Sequence, residues 1–244
     1  MVVPAIEIVV TRVGASTIDD ENTQDGKTWM EAFRAGADEI PGCVRACWGR
    51  SQKDSNIAMH FIDYETRRQH DVHKALINGP IPGPLKAIMS ESTTDLYVIY
   101  PNTSDRSILY APQTNVVFFY GIDDDKFAEL APEFSTAIGK SDSCLGYIWG
   151  EFQAPFLSDA SKSMELGKGG IMISGWRSRE KHDRDVGKDR VVKAYAAMDQ
   201  AVKKKDTWGM QVTVIENNGH IHKWRRLLMK NGDRSGWLPA PGNK

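Results

Sequence analysis

Cys43-Val-Arg-Ala-Cys-Trp48-Gly49 decides the fold of this chain, because a similar stretch, Cys144-Leu-Gly-Tyr-Ile-Trp149-Gly150, begins 101 residues later. The stretch from Tyr64 to Asp71 is matched by Trp176 to Asp183 at an offset of 112. A third pair, residues 98–102 and 214–218, has an offset of 116. The offsets increase along the chain, as insertions between matched blocks require. The sequence therefore predicts a tandem repeat of one structural unit.

Each half has the same predicted order of strands and helices. Residues 6–13 are apolar and β-branched, which favours a strand. Trp29 and Phe33 lie four apart on one face of a predicted helix. In the first half the predicted strands are 6–13, 44–50, 57–64 and 96–100, the predicted helices are about 28–39 and 65–77, and residues 108–111 turn back beside the last strand. In the second half the predicted strands are 116–120, 145–152, 170–176 and 209–215, the predicted helices are 124–138 and 184–203, and a further strand, 221–227, follows a turn at 218–219.

The predicted order, β-α-β-β-α-β, is the split arrangement of ferredoxin-like units. Such a sheet carries helices on one face only, so its other face needs cover. Two halves in one chain supply that cover by packing sheet to sheet. We expect an α+β fold with a first half at residues 1–111 and a second half at residues 112–244.

The composition argues against several classes of partner. The chain has 244 residues, with 31 Lys and Arg against 32 Asp and Glu, for a net charge of −1. Such a balance gives no reason to expect nucleic acid or an anionic membrane as a partner. Three cysteines, an odd number, indicate reduced thiols in an intracellular compartment. With no signal-like N-terminus and no apolar run of the ~20 residues that span a bilayer, we expect a cytoplasmic protein.

Several residues suggest a known family. Pro41-Gly42-Cys43 precedes a strand that ends in Trp48-Gly49, and each half has an aromatic strand end followed six residues later by histidine, as Tyr64 and His70 and as Trp176 and His182. This pattern resembles the antibiotic-biosynthesis monooxygenase superfamily, whose members are dimeric α+β barrels. The resemblance covers nearly the whole chain, as two copies. It implies an intramolecular α+β barrel with a small-molecule cavity between sheet and helices in one or both halves.

Two histidines are the candidate catalytic residues. An oxygenase without cofactor needs a base to form an electron-rich anion that reacts with oxygen, and a cyclase needs one to form an enolate; histidine is the usual choice. His60 shares a strand face with Ala58 and Ile62, so it faces either a cavity or the core. His70 is matched by His182, which favours fixing the strand–helix corner over a role as base.

Five further residues are candidates for substrate binding. The aromatic residues Trp48, Phe61, Tyr64 and Trp176 could stack a flat ligand or pack the cores. Arg50 could hold a phenolate or carboxylate, or form a salt bridge at the rim. His220 and His222 share one strand face but have no third ligand at a telling spacing, so we expect neither a metal nor a cofactor.

The sequence therefore predicts a cofactor-independent monooxygenase or cyclase that acts on an aromatic or polyketide-like molecule through a histidine acid/base in an apolar cavity. Two alternatives stay open. One is a non-catalytic small-molecule-binding or stress-response module, and the other is a haem-binding enzyme of the same fold. Nucleic acid and membranes are not expected as partners, and a homo-oligomer is compatible with the fold.

Overall fold

In a computed structural model of the chain, the described residues are 3–14, 17–40, 42–76, 88–89, 94–103, 107–122, 124–152 and 167–216. The predicted strand at 221–227, the turn before it, and His220 and His222 lie outside these ranges.

The described residues of the first half form four strands and two helices: β1 (Ala5–Arg12), α1 (Gln24–Glu39), β2 (Cys43–Arg50), β3 (Ile57–Tyr64), α2 (Arg67–Leu76) and β4 (Thr94–Ile99). Helix α1 begins four residues earlier than predicted. The reason is a side-chain cap, because the hydroxyl of Thr23 accepts the backbone N–H of Gly26 at 3.1 Å.

A short 3₁₀ helix, Ser107–Tyr110, leads into the second half: β5 (Gln113–Tyr120), α3 (Asp124–Gly139), β6 (Cys144–Phe152), β7 (Gly169–Trp176), α4 (Arg179–Val186), α5 (Asp189–Ala201), β8 (Lys204–Met210) and β9 (Thr213–Glu216). The 3₁₀ helix replaces the return strand predicted at 108–111. The single helix predicted at 184–203 was also wrong. Ser178 caps α4 by accepting the N–H of Lys181, α4 ends at Gly187, and α5 follows. The strand predicted at 209–215 is likewise two strands, β8 and β9.

The two halves share one strand order, as the sequence predicts. The first sheet runs β4-β1-β3-β2 and the second β8-β5-β7-β6. Ala5 pairs with Tyr64 in the first sheet and Gln113 with Trp176 in the second, and both sheets have a register shift at the start of the β2 or β6 strand. The third matched block was wrong, because the counterpart of β4 is β8 and not residues 214–218.

The two sheets face each other and close into a barrel. At one seam β9 pairs with β2, and the N–H of Gln52 donates to the carbonyl of Gly209 at 2.8 Å. At the other seam Asn102 and Trp149 exchange two hydrogen bonds of 2.9 Å. The predicted boundary at residue 111 falls just before β5, while β9 joins the sheet of the first half. The inward faces of both sheets supply one apolar core, which includes Ile6, Ile8, Met59, Phe61, Tyr97, Ile99, Val116, Phe118, Tyr120, Ile148, Ile171 and Ile173.

The helices cover the outward faces of the sheets and form one further apolar cluster in each half. In the first half α1 packs on the sheet through Trp29, Met30 and Phe33. In the second half α3 packs on the sheet and also on α5. None of the described helices is long and apolar enough to cross a membrane.

Candidate functional site

The outer cluster of the first half encloses four polar side-chain atoms that make no hydrogen bond to any residue that the structure describes. They are Thr11 Oγ1, Trp29 Nε1, Trp48 Nε1 and His60 Nε2, and each is closed off from solvent. A buried polar group without a partner costs about 1–3 kcal/mol, so folded proteins keep few of them. We call Thr11, Trp29, Phe33, Trp48 and His60 the His60 cluster. Its unpaired polar atoms mark it as the candidate site.

The sheet register places three members of the His60 cluster on one face. In β3, Met59 and Phe61 point into the barrel core, so His60 points outward, as period-two alternation requires. Trp48 is the cross-strand partner of His60, and Thr11 is the partner of Ala58. Side chains from three adjacent strands therefore meet beneath α1.

Helix α1 adds two rings to this face. The ring centroids of Trp29 and Phe33 lie 4.9 Å and 4.6 Å from that of His60, both in edge-to-face geometry. Trp29 also meets Trp48 edge to face at 5.6 Å. These contacts are in the range of favourable aromatic pairs. They exclude water from the imidazole Nε2 and surround it with apolar surface.

The environment of His60 keeps its imidazole neutral. Burial without a charged partner lowers the pKa of His60 to about 3. The ring as a whole is partly exposed, but its Nε2 atom is not. At neutral pH the cluster therefore offers an uncharged imidazole beside two indole N–H donors and one hydroxyl.

His70 lies elsewhere on the same sheet face, at the corner between β3 and α2. Its Nε2 lies 3.2 Å from Glu7 Oε2, in an ion-pair contact that is poorly aligned for a hydrogen bond, and its Nδ1 lies 3.0 Å from Asp71 Oδ1. Tyr64 meets the ring edge to face at 5.2 Å. Burial lowers the pKa of His70, but Glu7 and Asp71 outweigh it, so the pKa is raised overall. Carboxylates engage both ring nitrogens, which fits a fixed corner.

The structure separates the residues predicted for substrate binding. Trp48 belongs to the His60 cluster. Arg50 lies at the end of the same face, where its Nε contacts Asp19 Oδ2 at 2.6 Å, the rim salt bridge that was the alternative. Tyr64 packs on His70, Phe61 faces the barrel core, and Trp176 lies in the outer cluster of the second half.

Comparisons with known proteins give the fold a wider context. No protein-family model matches the chain, and no curated protein sequence matches it. Among solved structures, an anthrone oxidase-like protein superposes with a TM-score of 0.65 at 11% identity, over 89% of this chain and 94% of that protein. A candidate monooxygenase from Lactobacillus acidophilus superposes with a TM-score of 0.56 at 11% identity, over 88% of this chain and 96% of that protein. A candidate chlorite dismutase superposes with a TM-score of 0.54 at 10% identity, over 87% of this chain and 96% of that protein.

These neighbours are dimeric α+β barrels. This chain has the same fold. At such identities the similarity shows the fold alone.

Within the α+β barrel, the second half lacks a counterpart of the His60 cluster. The equivalent sheet positions follow from the paired strands, since β1 and β3 correspond to β5 and β7. Thr11 is replaced by Phe119 and His60 by Met172. Ala58 is replaced by Gly170, and a Cβ there would overlap the ring of Phe127. At the positions of Thr11 and His60 the second outer cluster is therefore apolar, while Trp149 occupies the position of Trp48.

Sequence reasoning missed three members of the cluster, Thr11, Trp29 and Phe33. Trp29 and Phe33 were interpreted as part of the apolar stripe of α1, and Thr11 as one residue of an apolar strand. The repeat itself contains a signal for Thr11, because Phe119 occupies the equivalent position in the second half. Differences in polarity between equivalent positions would have distinguished the two halves.

The cluster as it stands does not fit a porphyrin. Trp29 and Phe33 contact the imidazole of His60 directly, which leaves no slot for a flat macrocycle between His60 and α1. Within the described ranges, no three His, Cys, Asp or Glu side chains come together as a metal site.

Proposed function

We propose that this α+β barrel is an oxygenase or cyclase that uses no cofactor and binds a small aromatic or polyketide-like molecule at the His60 cluster. The observation that carries the proposal is the buried, unpartnered Nε2 of His60 among aromatic rings, at a position where the second half has Met172. The names of structural neighbours, a monooxygenase candidate and an anthrone oxidase-like protein, support the reaction class.

The proposed chemistry is proton removal by a neutral imidazole. With a pKa of about 3, His60 is a weak base in the free protein. Proton transfer becomes favourable only when the substrate anion lies in contact with the imidazolium, because the two opposite charges then stabilise each other in an apolar site. In an oxygenase the resulting carbanion reacts with O₂ directly. In a cyclase the same anion attacks a carbonyl within the substrate.

His70 takes a different part in this proposal. Its two ring nitrogens already contact Glu7 and Asp71, which leaves neither of them open to a substrate. We assign it to the strand–helix corner. His60 is therefore the base that the proposal requires.

Turnover of anthrone in air tests the proposal. We expect the protein to consume O₂ and to form the quinone. An oxygen electrode measures the first, and absorbance measures the second. His60→Gln should reduce the rate by about a hundredfold or more, the usual loss for a general base. His182→Gln, at the corner of the second half, is the matched control and should stay within a few-fold of the wild type.

Three outcomes count against the proposal. Full turnover by folded His60→Gln removes the proposed base. Binding of anthrone without turnover supports the non-catalytic module. A Soret band in the purified protein supports the haem enzyme.

A further inference from the structure

Two indole N–H groups in the His60 cluster have no acceptor among the described parts of the chain. Trp29 contributes one from α1, and Trp48 contributes the other from β2. A buried indole N–H normally finds a partner. Trp176 shows this in the second half, where its Nε1 donates to Ser174 Oγ at 2.9 Å. The two unpaired donors of the first half are therefore not a general property of the buried tryptophans in this fold.

The same ring cluster holds both donors and His60. The centroid of Trp29 lies 5.6 Å from that of Trp48 and 4.9 Å from that of His60, and Trp48 is the cross-strand partner of His60. An oxygen atom that reaches this cluster meets hydrogen-bond donors without charge. Such fixed donors stabilise negative charge on oxygen most strongly where water is excluded.

Phe33 packs against the three other rings of the His60 cluster. Its centroid lies 5.3 Å from Trp29, 6.4 Å from Trp48 and 4.6 Å from His60. Phe33 is 9% exposed, against 0% for Trp29 and 4% for Trp48, so it is the outermost of the three rings. Phe33 carries no polar atom, so turning it aside breaks no hydrogen bond.

We propose that Trp29 and Trp48 bind oxygen atoms of the substrate through their indole N–H groups, after Phe33 turns aside. This inference rests on the proposed function and assigns two further binding residues to that site. It requires an aromatic ligand that bears a phenolic or carbonyl oxygen, because a hydrocarbon of the same shape leaves both donors unpaired. The proton of a phenol passes to His60 Nε2, the electron pair stays on the oxygen, and no other bond changes.

The test compares 1-naphthol with naphthalene as probes of the full-length protein. In ¹⁵N–¹H spectra, 1-naphthol should move the indole resonances of Trp29 and Trp48 downfield and leave those of Trp149 and Trp176 in place. Naphthalene should cause no such downfield shift. The spectra need only the wild-type protein, so they stay informative if a variant fails to fold.

Binding of the same probes to variants gives the second readout. Trp48→Phe keeps an aromatic ring but removes the donor, and should weaken 1-naphthol binding about tenfold, as expected for one lost hydrogen bond, with naphthalene binding unchanged. Trp149→Phe, in the second half, should change neither. The inference is overturned if 1-naphthol does not bind, or if it binds Trp48→Phe with wild-type affinity and leaves both resonances in place. Such a result leaves the proposed function standing as long as anthrone turnover depends on His60. If anthrone turnover does not depend on His60 either, the inference and the proposed function are both wrong.

Discussion

Glu7 and Asn115 occupy equivalent positions in the two sheets and give their histidines opposite properties. Glu7 lies beside His70, and the amide of Asn115 contacts Nε2 of His182. Each histidine also contacts the aspartate that follows it, Asp71 or Asp183. The pKa of His70 is raised, whereas burial lowers the pKa of His182 despite its aspartate. The carboxylate of Glu7 is therefore the difference that sets the direction of the pKa shift.

Replacing Glu7 with Asn should make the first corner behave like the second. We expect Glu7→Asn to lower the pKa of His70 below its ordinary value of 6.5, because burial then outweighs the remaining pull of Asp71. Titration of the imidazole Cε1–H by NMR measures this, with His182 as the internal reference. A pKa of His70 that stays raised in the variant would assign the effect to Asp71 alone.

His60 should make the fold sensitive to acid. Its pKa of about 3 lies below the unfolded value of 6.5, so between these two pH values the unfolded chain binds a proton that the folded chain does not. The free energy of unfolding therefore decreases as pH falls through this window. In His60→Met, which has the residue found at position 172, the free energy of unfolding should fall by about 1.4 kcal/mol less than in the wild type between about pH 7.5 and about pH 5.5. Urea unfolding at both pH values checks this, and an equal loss in both proteins would mean that His60 protonates in the folded state.

At the scale of elements, the strands were easier to predict than the helix ends and connections. Alternation and β-branched residues located β1, β2 and β3 to within about a residue. Side-chain caps at Thr23 and Ser178 moved the starts of α1 and α4. Lys204 and Lys205, which directly follow the helix predicted at 184–203, begin β8, because pairing with Tyr120 and Phe119 supplies their hydrogen bonds. Local sequence does not predict strand pairing of this kind, because the pairing depends on tertiary contacts.

Two glycines of the second half should respond differently to alanine. Gly170 lies under the Phe127 ring, which an added Cβ would overlap, so Gly170→Ala should cost about 1–3 kcal/mol of unfolding free energy. Gly187, between α4 and α5, has φ of −77° and no atom closer than 3.6 Å to an added Cβ. Gly187→Ala should stay within about 0.5 kcal/mol of the wild type. Urea unfolding of both variants checks this, and equal effects would contradict the tight packing of α3 on β7.

For the whole molecule, the sequence predicted the architecture better than the site. The predicted α+β fold, with two ferredoxin-like halves packed sheet to sheet, is confirmed. Of the predicted site residues, His60 and Trp48 lie together, while Phe61 lies on the opposite face of its strand. Period-two alternation already separates Phe61 from His60. Trp29 and Thr11 could not be found in this way, since their importance lies in hydrogen bonds that are missing from the folded chain.

The shared barrel core should make the two halves unfold together. Both sheets line one interior, and β9 belongs to the first sheet although it follows β8 in the chain. We expect one transition in calorimetry, with the calorimetric and van't Hoff enthalpies equal. Two separate transitions would show that the halves are independent.

The seam between β4 and β6 should contribute to that shared stability. Asn102→Ala removes a hydrogen bond to Trp149 N and should lower the free energy of unfolding by about 1 kcal/mol without splitting the transition. Asn22→Ala, which removes a contact within an exposed loop, is the control and should have a smaller effect. No loss of stability in Asn102→Ala would mean that the seam contributes nothing measurable.

The single polypeptide has a consequence for how such a molecule can change over generations. In an assembly of two identical subunits, one codon specifies both copies of a position, so a histidine gained on one side appears on the other as well. Here His60 and Met172 are specified separately. The first half can therefore carry the unpaired polar atoms of Thr11 and His60, at a cost in stability, while the second keeps Phe119 and Met172 at those positions. A substitution at one of these positions is thereby not imposed on the other.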